Sequence, residues 1–439
     1  MRRSLNKEGG DMKSQNALLA AILALASGSA HGVTLEELAA RLDQLEKKVG
    51  QYEAKYGPLE NSAPARKPSN MIAMPTPAAP SPAISPSSAS DAIDGAYLDS
   101  PSGAGSIEGG GWAANTSIGA YGELHLNQGD KEQIDFHRFV LFLNHRFSDR
   151  VKFFSELELE HALSGDGKPG EVELEQAYLE FALNQGWSVR AGQYLLPLGI
   201  LNEVHEPDTF YGVERNGVES NIIPTTWWEA GAMVSKNFES GLGFDLGVHS
   251  GLSVSTDPGD SDAFRIRSGR QKVAEASASD YAASFRARYN GINGLSLTAF
   301  ANYQNDLAPE SSEDNSALLL GGSAVYQNGG FGLRALIADW NISGDSFENN
   351  DADHQWGYYI EPSYRWEFGA QKVGVFGRYG YYDYARSAGN SRGGEFDEYS
   401  VGVNYWPVSN VVLKADYTRI EQDDAETNET FNFGLGYSF

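Results

Sequence analysis

Sixteen segments of alternating apolar and polar residues follow one another from residue 115 to the C-terminus. The last segment places a large apolar residue at every second position: Phe431, Phe433, Leu435, Tyr437 and Phe439. A period of two indicates a β-strand with two chemically different faces. The predicted strands are 115–127, 135–147, 150–161, 171–183, 187–194, 228–238, 242–252, 279–289, 294–304, 317–327, 331–340, 353–366, 370–385, 395–406, 409–421 and 429–439.

The connections between these strands alternate between short and long. Short connections include 148–149, 184–186, 290–293 and 328–330, whereas 195–227 and 253–278 are among the long ones. Each strand that leads to the short connections ends on or beside an aromatic residue: Phe147, Phe181, Phe238, Tyr289, Tyr326, Trp366, Tyr405 with Trp406, and Phe439. Aromatic rows of this kind lie at the interface between a membrane and water.

An open sheet edge in lipid would leave backbone groups without hydrogen bonds, so a membrane sheet must close. The sequence therefore predicts an all-β fold over 112–439, a 16-stranded antiparallel transmembrane β-barrel. Closure requires 429–439 to pair with 115–127. Such barrels are typical of the bacterial outer membrane, where lipid and lipopolysaccharide surround them.

The first 111 residues have a different character. A basic start, the apolar run 17–26 and small residues before Ala30 predict a signal peptide over 1–30, with Met12 as an alternative start. Residues 33–57 carry apolar positions spaced alternately three and four apart, which predicts a periplasmic coiled coil that assembles copies of the chain. Residues 58–111 are rich in Pro, Ala, Ser and Gly and predict an extended linker.

Composition narrows the function. The chain has 59 acidic and 33 basic residues and a net charge of −26, which argues against a nucleic-acid partner. It has no cysteine, which removes thiol catalysis and thiolate metal sites. Barrel phospholipases resemble a His-x-Ser pattern. No histidine in this chain is followed by serine two places on, which argues against a lipase. Glu156, Glu158 and Glu160 lie near His161, but on the opposite face of their strand. We expect neither an enzyme nor a metal or other cofactor.

Sixteen strands enclose more space than side chains fill, so we expect a water-filled lumen. The positions that the alternation turns toward the lumen include seven arginines, which would form a basic wall: Arg138, Arg146, Arg190, Arg286, Arg288, Arg378 and Arg334. The long connection 195–227 is too apolar for a solvated loop, and folding it into the lumen would bury its aliphatic residues and form a constriction. Its charged residues would then face the basic wall: Glu203, Glu206, Asp208, Glu214, Arg215 and Glu219.

Four stretches of the sequence resemble the phosphate-selective porin O and P family: 134–147, 153–161, 190–199 and 222–231. The resemblance extends over about 112–439 and is strongest before residue 251. It implies a trimeric sixteen-stranded porin with the third outer loop, residues 195–227, inside the barrel. In that family phosphate selectivity depends on basic residues at the constriction. A terminal aromatic residue such as Phe439 also resembles the assembly signal of bacterial outer-membrane proteins.

The sequence thus predicts an outer-membrane porin that passes small hydrophilic solutes and ions by passive diffusion. An anion- or phosphate-selective porin is one alternative, and a structural tether of the cell envelope is another. Loop 195–227 holds five acids and one arginine, so we expect weak selectivity that leans toward cations, with most wall arginines neutralised by the loop.

Overall fold

The computed structural model describes residues 47, 105–106, 115–129, 132–384, 393–423 and 427–439. Sixteen long strands, labelled β1 to β16, are Thr116–Gln128, Gln133–Ser148, Val151–Glu160, Val172–Ala182, Trp187–Leu195, Trp228–Asn237, Leu242–Ser250, Tyr281–Ile292, Leu295–Gln304, Ala317–Asn328, Phe331–Ile342, His354–Phe368, Gln371–Tyr384, Gly394–Val408, Val411–Gln422 and Asn428–Ser438. The short helical turns are Asn184–Gly186, Val218–Ile222, Ile266–Gly269 and Asp345–Glu348. A two-residue strand, Gly105–Ser106, pairs with the start of β1.

The sixteen long strands form one closed antiparallel barrel. Each strand pairs with its neighbours in the sequence, and β16 pairs with β1 from Phe431 opposite Gln128 to Ser438 opposite Tyr121. Phe439 continues this pairing, because its backbone exchanges two hydrogen bonds of 2.8 Å with Ala120. The closed 16-stranded barrel predicted from the alternation is confirmed. Among the described residues no helix is long and apolar enough to cross a membrane.

The strand ends differ from the predicted ones by a few residues. The largest difference is in β8, which continues to Ile292, so the turn to β9 consists of Asn293 and Gly294. Gly294 has φ +76°, which a residue without a side chain adopts freely in a two-residue hairpin. The signal peptide, coiled coil and linker predicted over 1–111 lie almost entirely outside the described residues.

The outer face of the barrel is apolar. Large hydrophobic side chains are exposed along the outward rows, among them Leu141, Leu157, Leu246, Ile337 and Val401. A surface of this kind suits lipid. The aromatic row at the short-turn end needs one correction. Trp406 is buried in the lumen, where its ring centroid lies 5.9 Å from that of Tyr211, because the strand alternation turns it to the face opposite Tyr405.

The interior on the long-loop side holds the main hydrophobic core. Leu196, Leu198, Ile222, Ile223 and Trp227 of the third outer loop are buried there. They pack with residues from other outer loops and from the strand ends on the long-loop side, including Phe264, Trp340 and Phe347. The indole nitrogen of Trp340 donates to the Ile222 carbonyl oxygen at 2.9 Å. The third outer loop therefore lies inside the barrel, where its aliphatic side chains are removed from water.

Phe439 supplies the first testable prediction. Its side chain is exposed on the lipid face at the closing seam. We expect Phe439→Ser to lower the amount of folded protein in the outer membrane several-fold, measured by heat-modifiable mobility on gels of membrane fractions. Phe147→Ser is the matched control, since Phe147 is equally exposed at the end of β2. Equal levels of both variants would contradict a special role for the terminal residue.

Candidate pore constriction

The wall of the barrel holds the backbone of the third outer loop. Wall cations donate to loop carbonyl oxygens, since Arg138 reaches His205 at 2.8 Å, Arg334 reaches Thr209 at 2.7 Å and Lys414 reaches Gly212 at 2.7 Å. Wall acids accept from loop amides. Asp416 binds the Val213 amide at 2.7 Å, and Glu398 binds the Gly217 amide at 2.7 Å. The charges on the wall thus fix the path of the loop across the lumen.

Glycines let the loop approach the wall closely. A Cβ atom at Gly217 would lie 2.2 Å from the ring of Tyr382 on β13. On β16, a Cβ at Gly436 would lie 2.4 Å from Pro207, and one at Gly434 would lie 3.3 Å from Val213. The small residues between the aromatic residues of the last strand therefore leave room for the inserted loop.

Glu219 anchors the loop to itself and to β12. Its Oε1 accepts from the amides of Ile200 at 2.5 Å and Leu201 at 2.7 Å, and its Oε2 accepts from the Tyr359 hydroxyl at 2.7 Å. The side chain is fully buried. Burial raises the pKa of Glu219, whereas the three donors act to lower it. This carboxyl group joins the start of the loop, its helical turn and the barrel wall.

Three of the predicted arginines form one network on the short-turn side of the loop. Arg286 binds Asp245 at 2.7 Å and also binds Glu203 of the loop. Arg190 lies 3.2 Å from Glu180 and 3.7 Å from Glu203. Arg288 lies 3.6 Å from the same Asp245. Wall acids thus supply most of the neutralising charge here, with Glu203 the one loop acid in the network.

The remaining predicted arginines lie elsewhere. Arg138 pairs with Glu123 at 2.5 Å, and Arg378 lies 3.1 Å from Glu361 and 3.3 Å from Glu398. Arg146 is exposed near the short-turn end of β2, eight positions along the strand from Arg138, and does not join these clusters. Alternation assigns a residue to the inner face but does not give its height along the barrel.

Among the described residues, Glu203 is the one loop acid paired with a wall arginine. Burial raises the pKa of Glu206, and it also raises the pKa of Asp208, whose Oδ2 accepts from Ser438 at 3.2 Å. Glu214 is partly exposed and accepts from His125 at 3.0 Å and Asn127 at 3.1 Å. Desolvation acts to raise the pKa of Glu214, but these partners lower it to about 2.

A basic segment of the next outer loop was missed by sequence reasoning. Arg267 donates to the carbonyl oxygens of Ser220 at 3.0 Å and Thr225 at 2.6 Å, and Arg270 donates to that of Thr226 at 2.5 Å. The run of three arginines and one lysine from 265 to 272, in a strongly acidic chain, was the available signal.

Arg215 of the third outer loop lies close enough to Arg267 to affect its pKa. Burial and the adjacent guanidinium groups of Arg270 and Arg215 lower the pKa of Arg267 well below its usual value. Among the described residues, no carboxylate lies within ion-pair distance of Arg215, Arg267 or Arg270. These three line the long-loop cavity. On the short-turn side Arg334, which donates to the Thr209 carbonyl oxygen, likewise has no carboxylate within ion-pair distance among the described residues.

The inserted loop separates two lumen cavities. The cavity on the long-loop side is lined by Arg215, Arg267 and Arg270. Wall residues from β1 to β4, near the strand ends that lead to the outer loops, complete its lining. Two adjoining pockets on the short-turn side share Val204, Ser296, Val325 and Arg334. Phe210 contributes to both sides. A solute crossing the barrel would pass from one cavity to the other beside the segment 203–215.

Comparison with known protein families identifies the family of this chain. The family described as phosphate-selective porin O and P matches residues 119–433, which include nearly the whole barrel. The chain belongs to this family. Family and fold together place it in the bacterial outer membrane as a channel.

Individual relatives are more distant. An uncharacterized protein of Aquifex aeolicus strain VF5 is 29% identical over 352 residues, covering 74% of this chain and 80% of that protein. The anion-selective porin from Comamonas acidovorans superposes with a TM-score of 0.50 at 13% identity, covering 74% of this chain and all of that one. Pseudomonas putida OprB gives 0.50 at 11% identity, covering 74% and 94%. These two structures share the fold with this chain.

Proposed function

We propose that the protein is a passive diffusion channel for small hydrophilic solutes and ions, with a weak preference for anions. The observation that carries this proposal is the group of three arginines, Arg215, Arg267 and Arg270, which line the long-loop cavity without a carboxylate partner. Guanidinium groups in a confined lumen attract anions and repel cations. The sequence analysis expected a preference for cations instead, and the sign of the reversal potential decides between the two.

The same cavity contains acids that limit the preference. Of the five that line it, Glu123 is paired with Arg138, Glu214 with His125 and Glu173 with Lys272. The two that remain are Glu158 and Glu160. Three arginines without an ion-pair partner therefore face two carboxylates, and the small positive excess supports a weak preference.

A reversal-potential measurement tests this function. With the full chain in a planar bilayer and a tenfold KCl gradient, we expect discrete channel openings and a reversal potential of the sign for anion preference. Liposomes containing the protein should also swell in small neutral sugars. A cation-selective reversal potential would contradict the proposed selectivity, and absence of openings would favour the envelope tether.

Phosphate selectivity is the second candidate, and the three arginines favour it because guanidinium groups bind phosphate through paired hydrogen bonds. The adjacent carboxylates weaken such binding. We therefore expect millimolar phosphate to reduce the chloride current only slightly. Block at micromolar phosphate would replace the general channel with a phosphate-selective one.

We further propose that three copies assemble, with 33–57 forming a periplasmic bundle. The heptad spacing from Leu35 to Tyr56 supports this, since three heptads are marginal as a single helix. Deleting 33–57 should lower the temperature at which the oligomer dissociates in detergent, measured by crosslinking, while channel openings persist. An unchanged oligomer would contradict the bundle, and loss of all openings would make the helix part of the pore.

A further inference from the structure

Three buried polar atoms, two on the lumen wall and one on the inserted loop, face one another without hydrogen-bond partners. They are Oε1 of Glu156, Oε2 of Glu175 and Nε2 of His205. The imidazole Nε2 lies 3.6 Å from each carboxylate oxygen, beyond ordinary hydrogen-bond distance. His205 is 1% exposed, Glu156 2% and Glu175 0%. Unpaired buried polar atoms are costly, so three that converge on one point require an explanation.

The geometry points to a divalent transition-metal site, and we propose that these three side chains bind Zn²⁺ or a similar dication such as Mn²⁺. All three ligand atoms lie within 4.8 Å of one another. With metal–ligand bonds of about 2.1 Å, a 3.6 Å separation corresponds to an angle of about 120° at the metal. One nitrogen with two carboxylate oxygens favours a transition metal over Ca²⁺ or Mg²⁺.

The opposite end of each proposed ligand is fixed by a neighbouring group. The Nδ1–H of His205 donates to the Asn202 carbonyl oxygen at 3.1 Å, which leaves the Nε2 lone pair free toward the carboxylates. Gln176 donates to Oε2 of Glu156 at 2.7 Å, and Thr226 donates to Oε1 of Glu175 at 2.8 Å. Metal ligands are oriented by outer partners in this way.

Charge at the site also fits a dication. Two buried carboxylates and a neutral imidazole leave two negative charges for the metal to balance, and the buried carboxyl group of Glu158 adjoins that of Glu175. Arg138 is a nearby cation, but it pairs with Glu123, donates to the His205 carbonyl oxygen and lies over the Tyr121 ring. The ring of Tyr121, whose buried hydroxyl also lacks a partner, packs edge-on at 6.1 Å from the His205 ring.

The bound metal would join three separate parts of the chain. Glu156 lies on β3, Glu175 on β4 and His205 on the inserted loop. The ion would therefore fasten the loop to the wall at the edge of the constriction, a structural role. Two other clusters of potential ligands, Asp135–His137–His161 and Glu160–Glu171–Glu173, are more exposed. They serve as internal comparisons.

Metal binding by the purified full chain tests the site. After chelation and dialysis, we expect the wild type to bind one Zn²⁺ per chain by titration calorimetry and to unfold at a higher temperature with Zn²⁺ than with Ca²⁺. His205→Gln and Glu175→Gln should each weaken Zn²⁺ binding by more than about 100-fold, because each removes a direct ligand. Asp135→Asn, in the exposed cluster, should bind as the wild type does.

Two further measurements separate loss of the site from loss of folding. Gln176→Ala keeps all three ligands and should weaken Zn²⁺ binding by about tenfold. Co²⁺ bound to the wild type should give visible absorption that His205→Gln removes. Absence of stoichiometric metal in the wild type, or equal binding by all variants, would overturn the proposal in favour of a buried ion pair in which His205 holds a proton between the carboxylates.

Discussion

Replacing Arg215, Arg267 and Arg270 together with glutamine is expected to reverse the ion preference of the channel from anions to cations. The substitution leaves Glu158 and Glu160 as the unpaired charges of the long-loop cavity. At a distance of about 8 Å in water each charge contributes about 0.5 kcal/mol, so three change the anion-to-cation permeability ratio by at least about tenfold. The reversal potential in a KCl gradient measures the change.

Arg146→Gln is the matched control for this prediction. Arg146 is an exposed arginine on the inner face near the short-turn end of β2, eight positions along the strand from Arg138, which contacts the inserted loop. Its removal should leave the reversal potential within error of the wild-type value, because solvent and salt screen it. A triple variant that still prefers anions would mean that other lumen groups set the selectivity.

Replacing Glu219 with alanine is expected to detach the third outer loop from its position across the lumen. The two loop amides and the Tyr359 hydroxyl would lose their acceptor in a buried site, at a cost on the order of 3–5 kcal/mol. Arg215 is the one Lys or Arg between 196 and 227. Trypsin should therefore cut after Arg215 in the variant much faster than in the wild type, as mass spectrometry of the fragments can measure.

Glu214→Ala controls for a change near the cleavage site itself. Glu214 binds two wall side chains but is partly exposed and touches no loop amide through its carboxylate. Its loss should change trypsin cleavage little. The detached loop of Glu219→Ala should also give larger and noisier single-channel currents. Unchanged currents and unchanged cleavage would show that Glu219 does not hold the loop.

The barrel could be predicted because its physical cause is local in the sequence. Alternation fixes the two faces of each strand, and an open edge is not tolerated in lipid. The interior position of 195–227 followed from residues such as Ile222 and Trp227, which need burial. Trp406 was assigned to the wrong side, since it adjoins an outward aromatic residue in the sequence.

The pairing of charges could not be predicted from the sequence. Arg286 meets Asp245 because the two residues lie opposite each other on the paired strands β7 and β8, and Glu203 is the loop acid that also reaches it. Arg267 and Arg270 reach the third outer loop from a separate outer loop, and sequence spacing gives no measure of that contact. His205 likewise meets Glu156 and Glu175 through the folded path of the loop alone.

Cysteine accessibility tests the central claim, that a water-filled path crosses the barrel beside the inserted loop. The chain has no native cysteine, so one introduced thiol gives a clean signal. Ser296 lines the short-turn cavities, and the next residue, Leu297, is exposed on the lipid face. A charged thiol reagent should lower the single-channel conductance of Ser296→Cys and leave that of Leu297→Cys unchanged. Equal responses, or no conductance from either variant, would contradict a channel through this barrel.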